Sequence, residues 1–344
     1  MQKTLAYFFS CLALLVFANA ASTNLVAQAK EPVNIIYDTD MGNDIDDVFA
    51  LAMLNNLEKR GEINFLAVTI TKDNKYAAPY CQMLDVFYHN PNVPIGVVKD
   101  SGVETFDGKF LRQTLEAKDE NGDPMFPFFD LANDKTQYYD AVELLRKTLA
   151  EHEDGSVVIA QVGFSTNLAR LLDSPGDKYS PLNGRELAAK KVKYLVAMAG
   201  NYVEHQLEYN VIKDVPSAQK VFSEWPTPIY VSGFEIGREI HMTADMMKND
   251  YEYVKYHPVK EAFKYYRGSL DAEQCTWDLT TILFAARENR GYFDLSEPGE
   301  ITVDDEGYTT FTPNEKGNAR YFKVNNEQIV RIREAFSWLC SERL

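Results

Sequence analysis

Short apolar runs that alternate with helix-like segments constrain the fold of this chain more than any other feature of its sequence. The strand-like runs are VNIIYD (33–38), INFLAVTI (63–70), VPIGVV (93–98), SVVIAQVG (156–163), KVKYLVAMAG (191–200) and TPIYVSG (227–233). Helix-like patterns lie between them, for example DVFALAMLNNLEK (47–59) and YYDAVELLRKTLAEH (138–152). Strands this apolar are usually buried on both faces, and parallel strands need crossover connections. The sequence therefore predicts an α/β fold: an open, mostly parallel, Rossmann-like sheet with helices on both faces.

The last part of the chain adds two smaller elements to this prediction. GEITVDDEGYTTFTP (299–313) has turn residues at DDEG and predicts a small β-hairpin, and NEQIVRIREAFSWLCSE (326–342) predicts a closing helix. The polar stretch 99–136 is rich in Gly, Asp and Phe. A loop of this length is usually functional or disordered, and its aromatic residues favour a lid over a free linker.

The N-terminus has the layout of a secretory signal peptide. A short basic start is followed by the apolar run LAYFFSCLALLVFANA (5–20) and by small-residue cleavage motifs. The run is short for a full membrane span, and an uncleaved anchor is the alternative interpretation. We therefore predict a signal peptide over residues 1–29, a single domain over residues 30–344, and a secreted or periplasmic protein.

Charge and cysteine content argue against several classes of function. The net charge of −16 at pH 7 argues against nucleic acid as a partner and is compatible with a metal cation. Three cysteines remain after residue 29 and form no CxxC pair, so neither a zinc site nor a disulfide framework is predicted. No stable membrane association is expected, because no later stretch is apolar enough to cross a bilayer. A homo-oligomer is compatible with the sequence.

Five aspartates crowd the end of the first strand-like run. Asp38, Asp40, Asp44, Asp46 and Asp47 fall within ten positions. Like charges at the mouth of a buried strand repel one another, so a positive group is expected among them. Open α/β sheets bind ligands beyond the carboxyl ends of their strands, and hard oxygen donors suit Ca²⁺ or Mg²⁺ better than zinc. The cluster therefore predicts a site for a divalent cation.

Other interpretations of this aspartate cluster fit the residues less well. Helix capping by Asp46 and Asp47, with backbone contacts from Asp38 and Asp40, would account for one or two acids but not for five. A haloacid dehalogenase-type phosphatase would use Asp38 as its nucleophile, but it would carry Thr or Val where this chain has Gly42. An EF-hand calcium loop requires a spacing and a terminal Glu that are missing.

The cluster resembles the signature of the inosine-uridine-preferring nucleoside hydrolase family, roughly D-x-D-P-G-x-D-D-A-x-A-L. DTDMGNDIDDVFAL (38–51) keeps the acids, the glycine and the closing Ala-Leu, with Met41 for Pro and two extra residues before Asp46. Four downstream segments resemble family motifs in the same order: LAVTITKDN (66–74), VIAQVGFSTNLARLL (158–172), LVAMAGN…LEYNVIKDVPSAQKVF (195–222) and CTWDLTTILFAA (275–286). The likeness spans about residues 33 to 290.

The resemblance implies a calcium-dependent N-ribosyl hydrolase that acts on a small-molecule riboside. It implies that Asp40, Asp47, Asp278 and the carbonyl of Val162 hold the Ca²⁺ ion, and that Asp38 orients these ligands. Water held by the ion would lose a proton to Asp40 as it attacks the anomeric carbon. The sugar would pass through an oxocarbenium-like state that the neighbouring carboxylates favour.

The same resemblance assigns contacts to the ribose and the base. Asp46, counted with Asp40 among the catalytic residues, would hold one ribose hydroxyl, and Trp277 would contact the base. Asn74, Glu208 and Asn210 would hold the other hydroxyls. Considered alone these residues are less specific: Asp278 reads as a helix N-cap, Asn74 as a turn residue, Glu208 and Asn210 as a solvated pair, and Trp277 as core.

The sequence departs from the family pattern at three points, which concern the leaving base and one contact to the ribose. Trp277 stands where many members carry a histidine that protonates or stacks on the base, and an indole N–H is no general acid. The H-G-x-D-G segment of the family is not visible, and a further ribose-binding asparagine is unassigned, with Asn201 the nearest candidate. These departures leave a second hypothesis open, a non-catalytic calcium-dependent protein that binds ribosides or sugars.

Overall fold

An eleven-stranded sheet forms the centre of the computed structural model, which describes residues 31–100, 103, 110–133 and 136–342. Its strands are β1 (Val33–Thr39), β2 (Ile63–Ile70), β3 (Ile95–Val97), β4 (Tyr139–Asp140), β5 (Val157–Gln161), β6 (Val192–Met198), β7 (Ile229–Ser232), β10 (Asp294–Leu295), β11 (Gly299–Val303), β12 (Thr309–Pro313) and β13 (Ala319–Lys323). Two further strands, β8 (His241–Met242) and β9 (Gln274–Cys275), pair with each other. The predicted signal peptide, residues 1–29, lies outside the described residues.

The first strand of the chain lies in the middle of the sheet. The strand order is β12-β11-β13-β7-β6-β5-β1-β2-β3-β4, with β10 paired to β13. β1 runs parallel to β2 on one side and to β5 on the other, and parallel pairing continues outward to β4 and to β13. The predicted open, mostly parallel sheet is confirmed.

Helices connect the strands and cover both faces of the sheet. They are α1 (Asp46–Lys59), α2 (Ala77–Phe87), α3 (Leu111–Leu115), α4 (Ala141–Glu151), α5 (Thr166–Asp173), α6 (Gly184–Lys191), α7 (Tyr209–Lys213), α8 (Val215–Glu224), α9 (Phe234–Arg238), α10 (Ala244–Asn249), α11 (Pro258–Arg267), α12 (Asp278–Arg287) and α13 (Asn326–Ser341), with a 3₁₀ turn at Glu288–Arg290. Ile35 and Tyr37 of β1 enter the core on one face, and Ile36 enters the core on the other. This division follows from the alternation of side chains along a strand.

The predicted C-terminal hairpin is confirmed, and it belongs to the main sheet. β11 and β12 pair antiparallel, with Gly299 opposite Pro313 and Val303 opposite Thr309. The sequence analysis did not identify the next strand, β13, which pairs antiparallel with β11 and parallel with β7. The hairpin therefore extends the sheet at one edge.

The long polar stretch 99–136 is described only in part. Phe110 and Leu111, at the start of α3, and Phe126 are buried and pack into the core on the α1 face. Its aromatic residues thus include anchors that join the stretch to the domain. Movement of the stretch as a lid stays a prediction.

The described residues from Pro32 onward form one compact unit. Among the described helices, none has both the length and the apolar character that crossing a bilayer requires.

The closing helix α13 covers α1, the helix that begins within the aspartate cluster. Phe336 and Leu339 of α13 are buried in the core. The Nδ2 of Asn56 in α1 donates a hydrogen bond to the carbonyl oxygen of Leu339 at 2.9 Å. The last helix therefore stabilises the position of the first.

Phe336→Ala should lower the free energy of unfolding by about 3–5 kcal/mol, because it removes a fully buried ring and leaves a cavity against α1. Trp338→Ala is the control on the same helix: its side chain is 68% exposed, and the expected change is within about 0.5 kcal/mol. Urea unfolding followed by circular dichroism measures both. Equal losses in the two variants would contradict this packing.

Candidate active site

A cavity of about 330 Å³ opens where the carboxyl ends of the central strands meet. Its wall is built by the segments that follow β1, β5 and β7, by the end of β6, and by residues at the starts of α7 and α12. The lining residues are Asp40, Asn43, Asp44, Asp46, Asp47, Val162, Met198, Glu208, Tyr209, Asn210, Phe234, Trp277 and Asp278. The parallel sheet thus brings together segments that lie far apart in the sequence.

Asp46 joins the start of α1 to the start of α12. Its Oδ2 accepts hydrogen bonds from the backbone amides of Trp277 at 2.9 Å and Asp278 at 3.1 Å. Trp277 follows Asp46 by 231 positions in the sequence. The bonds set two helix N-termini beside the cavity, and the positive ends of both helix dipoles favour the acids there.

Asp40 and Asp47 are each held by a neighbouring polar side chain. The hydroxyl of Thr39 donates to Oδ1 of Asp47. Nδ2 of Asn43 donates to Oδ2 of Asp40, and Nζ of Lys72 donates to Oδ1 of Asn43. Lys72 is 1% exposed, so a positive charge lies buried behind Asn43 on the Asp40 side of the cavity.

Glu208 and Asn210 are buried beside the carbonyl group of Val162. Nδ2 of Asn210 donates to that carbonyl oxygen at 2.6 Å. The carboxylate of Glu208 accepts three backbone amide hydrogen bonds, from Gly200 at 3.0 Å, Asn210 at 2.8 Å and Val211 at 3.1 Å. Burial raises the pKa of Glu208 to about 7, although these amide bonds lower it. The pair is therefore a fixed part of the wall and not a solvated pair.

Asp38 lies beneath the cavity and does not line it. It is fully buried, and its Oδ1 accepts hydrogen bonds from the hydroxyl of Thr69 at 2.6 Å and from Nδ2 of Asn167 at 2.8 Å. Its carbonyl oxygen accepts the amide of Val162 at 2.7 Å. Burial raises the pKa of Asp38 to about 7 against the opposing effect of Asn167 and Thr69. Asp38 is therefore not placed to act as a phosphatase nucleophile.

The pKa of every aspartate in the cavity wall is raised. Burial is the largest cause, and repulsion from neighbouring carboxylates adds to it at Asp46, Asp47 and Asp278. Burial raises the pKa of Asp40 to about 6, while the Asn43 hydrogen bond and the Lys72 charge lower it. Burial also raises the pKa of Asp44. Ionising several of these acids at the same time therefore costs free energy in the folded chain.

The chemistry of this wall fits a hard divalent cation. Its carboxylates and the Val162 carbonyl are all oxygen donors, and a cation would offset the repulsion that raises the carboxylate pKa values. In the part of the chain that the structure covers, no three acidic, histidine or cysteine side chains are arranged as a closed metal site. The carboxylates would therefore have to converge on an ion.

Eight of the residues predicted from the sequence line this one cavity: Asp40, Asp46, Asp47, Val162, Glu208, Asn210, Trp277 and Asp278. Asn74 does not line it; this residue lies in the turn before α2, where its Oδ1 accepts the amide of Tyr76 at 2.8 Å. Asn201 is buried but is also not in the wall. Its Oδ1 accepts the amides of Val203 and Glu204.

Several residues of the wall were not predicted. They are Asn43, Met198, Tyr209 and Phe234, while Asp44 belongs to the predicted aspartate cluster but was given no role of its own. Asn43 and Asp44 lie in the stretch that carries the two extra residues, and that insertion was the signal that could have identified them. No such signal in the sequence marks Lys72, which lies behind the wall. A lysine between Thr71 and Asp73 would be predicted to lie on the surface.

An aromatic surface forms another part of the wall. The rings of Phe234 and Trp277 stack with centroids 5.5 Å apart and an interplanar angle of 23°. Nε1 of Trp277 donates to the carbonyl oxygen of Phe234 at 2.8 Å. A Cβ atom at Gly237 would lie 2.3 Å from the Trp277 ring, so a glycine is required there. The indole is thus fixed against the cavity.

The chain matches a known family and known folds. The model of the family described as inosine-uridine preferring nucleoside hydrolase matches residues 35–331. A plant nucleoside hydrolase, the PpNRh1 enzyme, superposes with a TM-score of 0.68 at 18% identity, covering 91% of this chain and 100% of its own. A purine-preferring ribonucleoside hydrolase from Gardnerella vaginalis gives 0.68 at 16% identity, covering 90% and 100%.

An inosine-uridine preferring nucleoside hydrolase from Bacillus anthracis gives a TM-score of 0.62 at 15% identity, covering 89% of this chain and 99% of its own. At these identities the structural likenesses bear on the fold. No curated protein matches the chain in sequence.

In the presence of a chelator, the protein should lose stability as the pH rises from the ordinary aspartate value of 3.8 to about 7. The pKa of Asp38 is higher in the folded than in the unfolded state, so the folded state binds more protons within this window. The free energy of unfolding therefore falls as the pH rises, and the loss is complete above about pH 7.

The Asp38→Asn variant cannot ionise at this position, so its stability should fall less over the same pH range. Thermal unfolding at a series of pH values measures the difference. Asp73→Asn, an exposed aspartate in the loop after β2, is the control and should follow the wild type. Identical pH profiles for Asp38→Asn and the wild type would show that the buried carboxyl has no raised pKa.

Proposed function

Because the chain belongs to the inosine-uridine preferring nucleoside hydrolase family, we propose that it hydrolyses the N-glycosidic bond of ribonucleosides or related ribosides with the help of a bound Ca²⁺ ion. The observation that carries this proposal is the assembly of the acids in one cavity. Asp40, Asp46 and Asp47 come from one end of the chain and Asp278 from the other. The products would be ribose and the free base.

We assign Asp40, Asp47, Asp278 and the Val162 carbonyl as the residues that would hold the ion. All are oxygen donors of the kind that Ca²⁺ prefers. When bound, the ion would supply positive charge that lowers the pKa of water and attracts the ribose hydroxyls. Asp38 would act from beneath, since its backbone oxygen accepts the amide of Val162 and thereby orients the carbonyl group of that residue.

Asp40 is the group best suited to accept the proton of the attacking water. Burial raises its pKa to about 6 in the absence of an ion, so the carboxylate is ionised at neutral pH, and it lies among the residues that would hold the ion and its water. The hydrogen bond from Asn43 fixes one carboxylate oxygen, Oδ2, and leaves the lone pairs of Oδ1 for the ion and the proton. Asn43 and Lys72 therefore position the base.

Asp46, Glu208 and Asn210 would bind the ribose. Each has some of its hydrogen-bonding groups already engaged with the protein: Asp46 with two amides, Glu208 with three, and Asn210 with the Val162 carbonyl. These contacts fix the side chains before substrate arrives, which lowers the cost of ordering them. Carboxylates around the sugar also favour the positive charge that develops as the glycosidic bond breaks.

A non-catalytic riboside-binding protein is the second candidate function. The observation that favours it is the absence of histidine from the described cavity wall, where Trp277 lies beside Phe234. Tight riboside binding in calorimetry without any release of ribose would support it. We further propose that the protein acts outside the cytoplasm, which the predicted signal peptide supports; cell fractionation tests this.

The decisive experiment offers the purified chain a panel of ribosides, once with Ca²⁺ and once with a chelator. Release of ribose that requires Ca²⁺ is the expected result. Calorimetry with Ca²⁺ alone establishes that the ion is bound. If the ion binds and no riboside is cleaved, the hydrolase proposal fails and the binding protein remains.

Asp40→Asn should abolish turnover while the fold remains intact. We expect kcat to fall by at least about a hundredfold, because the amide cannot accept the proton of water. Ribose release measures kcat, and circular dichroism verifies the fold. Asp73→Asn is the control, an exposed aspartate whose loss should leave kcat unchanged. Unchanged turnover in Asp40→Asn would contradict the assignment of the base.

The family resemblance and the cavity wall disagree over which asparagine serves the site, and two variants separate them. Asn43→Ala removes the hydrogen bond to Asp40, so kcat should fall by about tenfold. Asn74→Ala removes a side chain that binds its own loop, so its effect should be much smaller. Steady-state kinetics with one riboside measures both. The reverse order of effects would restore Asn74 to the substrate site.

A further inference from the structure

A cysteine and a histidine face each other on the small two-stranded sheet formed by β8 and β9. His241 of β8 lies directly opposite Cys275 of β9, and neither residue lines the cavity. Sγ of Cys275 lies 3.5 Å from Nε2 of His241 and 3.8 Å from the carbonyl oxygen of Arg238. Nε2 of His241 lies 2.7 Å from the same carbonyl oxygen. A sulfur, a nitrogen and an oxygen atom therefore meet at one point outside the cavity wall.

A carboxylate orients the imidazole of His241 from its other side. Nδ1 of His241 contacts Oε2 of Glu273 at 3.1 Å. Both ring contacts can be hydrogen bonds at once only if both nitrogens carry a proton, because an ionised carboxylate and a carbonyl group only accept. In the neutral ring the proton is favoured at Nδ1, where the charge of the carboxylate strengthens the bond. The lone pair of Nε2 then faces the carbonyl oxygen of Arg238, and a cation between these two atoms would satisfy both.

The separation of the sulfur and nitrogen atoms fits a tetrahedral metal site. Zn–S and Zn–N bonds of about 2.3 and 2.0 Å at a tetrahedral angle place their ligand atoms about 3.5 Å apart. Sγ of Cys275 and Nε2 of His241 already have this separation. The carbonyl oxygen of Arg238 would have to move away from Nε2 to bind the same ion. Water would complete the site, because no set of three acidic, histidine or cysteine side chains is arranged for a metal among the residues that the structure describes.

The ligand atoms and the surrounding charge favour a thiophilic ion at this point. Thiolate and imidazole are ligands of Zn²⁺ and its chemical relatives, whereas Ca²⁺ binds oxygen. Burial and repulsion from Asp44 and Asp46 raise the pKa of the Cys275 thiol. The same two carboxylates attract a divalent cation, which binds the sulfur as the thiol proton leaves. The side chain of His241 is 37% exposed, so an ion can reach the pair from solvent.

We propose that Cys275 and His241 form a binding site for a thiophilic divalent ion of the Zn²⁺ class, separate from the Ca²⁺ site proposed in the cavity. The carbonyl oxygen of Arg238 and water complete the coordination, and Glu273 orients the imidazole. Cys275 releases its proton to solvent as the metal–sulfur bond forms, and no redox step is involved. The sequence analysis predicted no zinc site because the cysteines form no CxxC pair. The fold instead pairs a cysteine with a histidine 34 positions away.

The residues that follow Cys275 connect this site to the cavity. The backbone amide of Thr276 donates to the carbonyl oxygen of Ile240 at 2.9 Å, and its hydroxyl donates to the same oxygen at 2.8 Å. Trp277 and Asp278, which come next in the sequence, line the cavity. An ion that joins β8 to β9 therefore stabilises the segment that leads into the cavity wall. Zn²⁺ should raise the thermal unfolding temperature of the protein in excess Ca²⁺, and Cys275→Ser should remove this rise. An equal rise in Cys275→Ser would overturn the proposal.

A spectroscopic titration identifies the ligands. Co²⁺ added to the reduced full chain in excess Ca²⁺ should give a thiolate-to-metal charge-transfer band, which Zn²⁺ should remove by displacement. Cys275→Ser should abolish the band, and His241→Ala should raise the Kd for Co²⁺ by about a hundredfold. Glu273→Gln, which keeps both ligands and weakens the orientation of the ring, should raise it by about tenfold. His205→Ala, at an exposed histidine away from the pair, is the control. No band in the wild type, or an unchanged Kd in His241→Ala, would overturn the proposal.

A measurement on the wild type alone avoids any effect of substitution on folding. Among the cysteines of the described residues, Cys81 and Cys340 are buried and Cys275 is half-buried. Iodoacetamide should alkylate Cys275, and saturating Zn²⁺ should slow this reaction by about tenfold or more, whereas Ca²⁺ should not. Peptide mass spectrometry locates and quantifies the label. An unchanged alkylation rate in Zn²⁺ would overturn the proposal. None of these measurements requires cleavage of a riboside, so their outcome is independent of the proposed hydrolase function.

Discussion

The carboxylate of Asp46 stabilises the candidate active-site cavity by accepting hydrogen bonds from two backbone amides at the start of α12. These bonds position the backbone of Trp277 and Asp278, which both line the cavity, relative to the start of α1. With them, two helix N-termini meet at the edge of the sheet, and the acids from both ends of the chain share one environment. The same carboxylate that joins the two segments is one of those proposed to bind the sugar. In this proposal, the side chain of Asp46 both positions the start of α12 and binds the substrate.

Holding the acids of the cavity close together costs electrostatic free energy, and this cost indicates what the cavity binds. Burial and mutual repulsion both raise the pKa of Asp47 and Asp278, while Lys72 near Asp40 and Arg267 near Asp44 offset part of the effect. The apolar core on both faces of β1 supplies the stability that tolerates such a cluster. These acids favour the binding of a cation and of a sugar that develops positive charge, because both reduce the repulsion between the carboxylates.

The centre of the sheet could be predicted from the sequence because the apolar runs indicate strands and the helices between them indicate a parallel sheet. β1 and β2 are apolar runs bounded by polar turns, and their observed limits nearly coincide with the predicted ones. The resemblance to the family implied that the acids at the end of β1 and at the start of α12 share a site, and both line the cavity. In contrast, β13 is a short strand in which only Ala319 and Phe322 are buried, and nothing local in the sequence indicates that it returns to pair with β7.

The details of the wall were harder to predict, for a physical reason. Lys72 is a charged residue in a polar loop, and only the tertiary structure buries it behind Asn43. Asn74 occupies the position that the family pattern indicates, yet its side chain binds the turn that leads into α2. A side chain's direction at the end of a strand depends on the loop that follows, and the insertion after Gly42 changes which residues reach the cavity.

The packing of α13 on α1 has a consequence for how the chain matures. The helix that begins with Asp46 and Asp47 receives part of its apolar cover from residues near the end of the sequence, among them Phe336 and Leu339. During synthesis these residues emerge from the ribosome long after α1, so a nascent chain would expose one side of α1 until α13 has been made. The apolar cover of α1 would thus be completed only after the strands of the main sheet have been made, and a chain cut before α13 would present an apolar surface to chaperones and proteases.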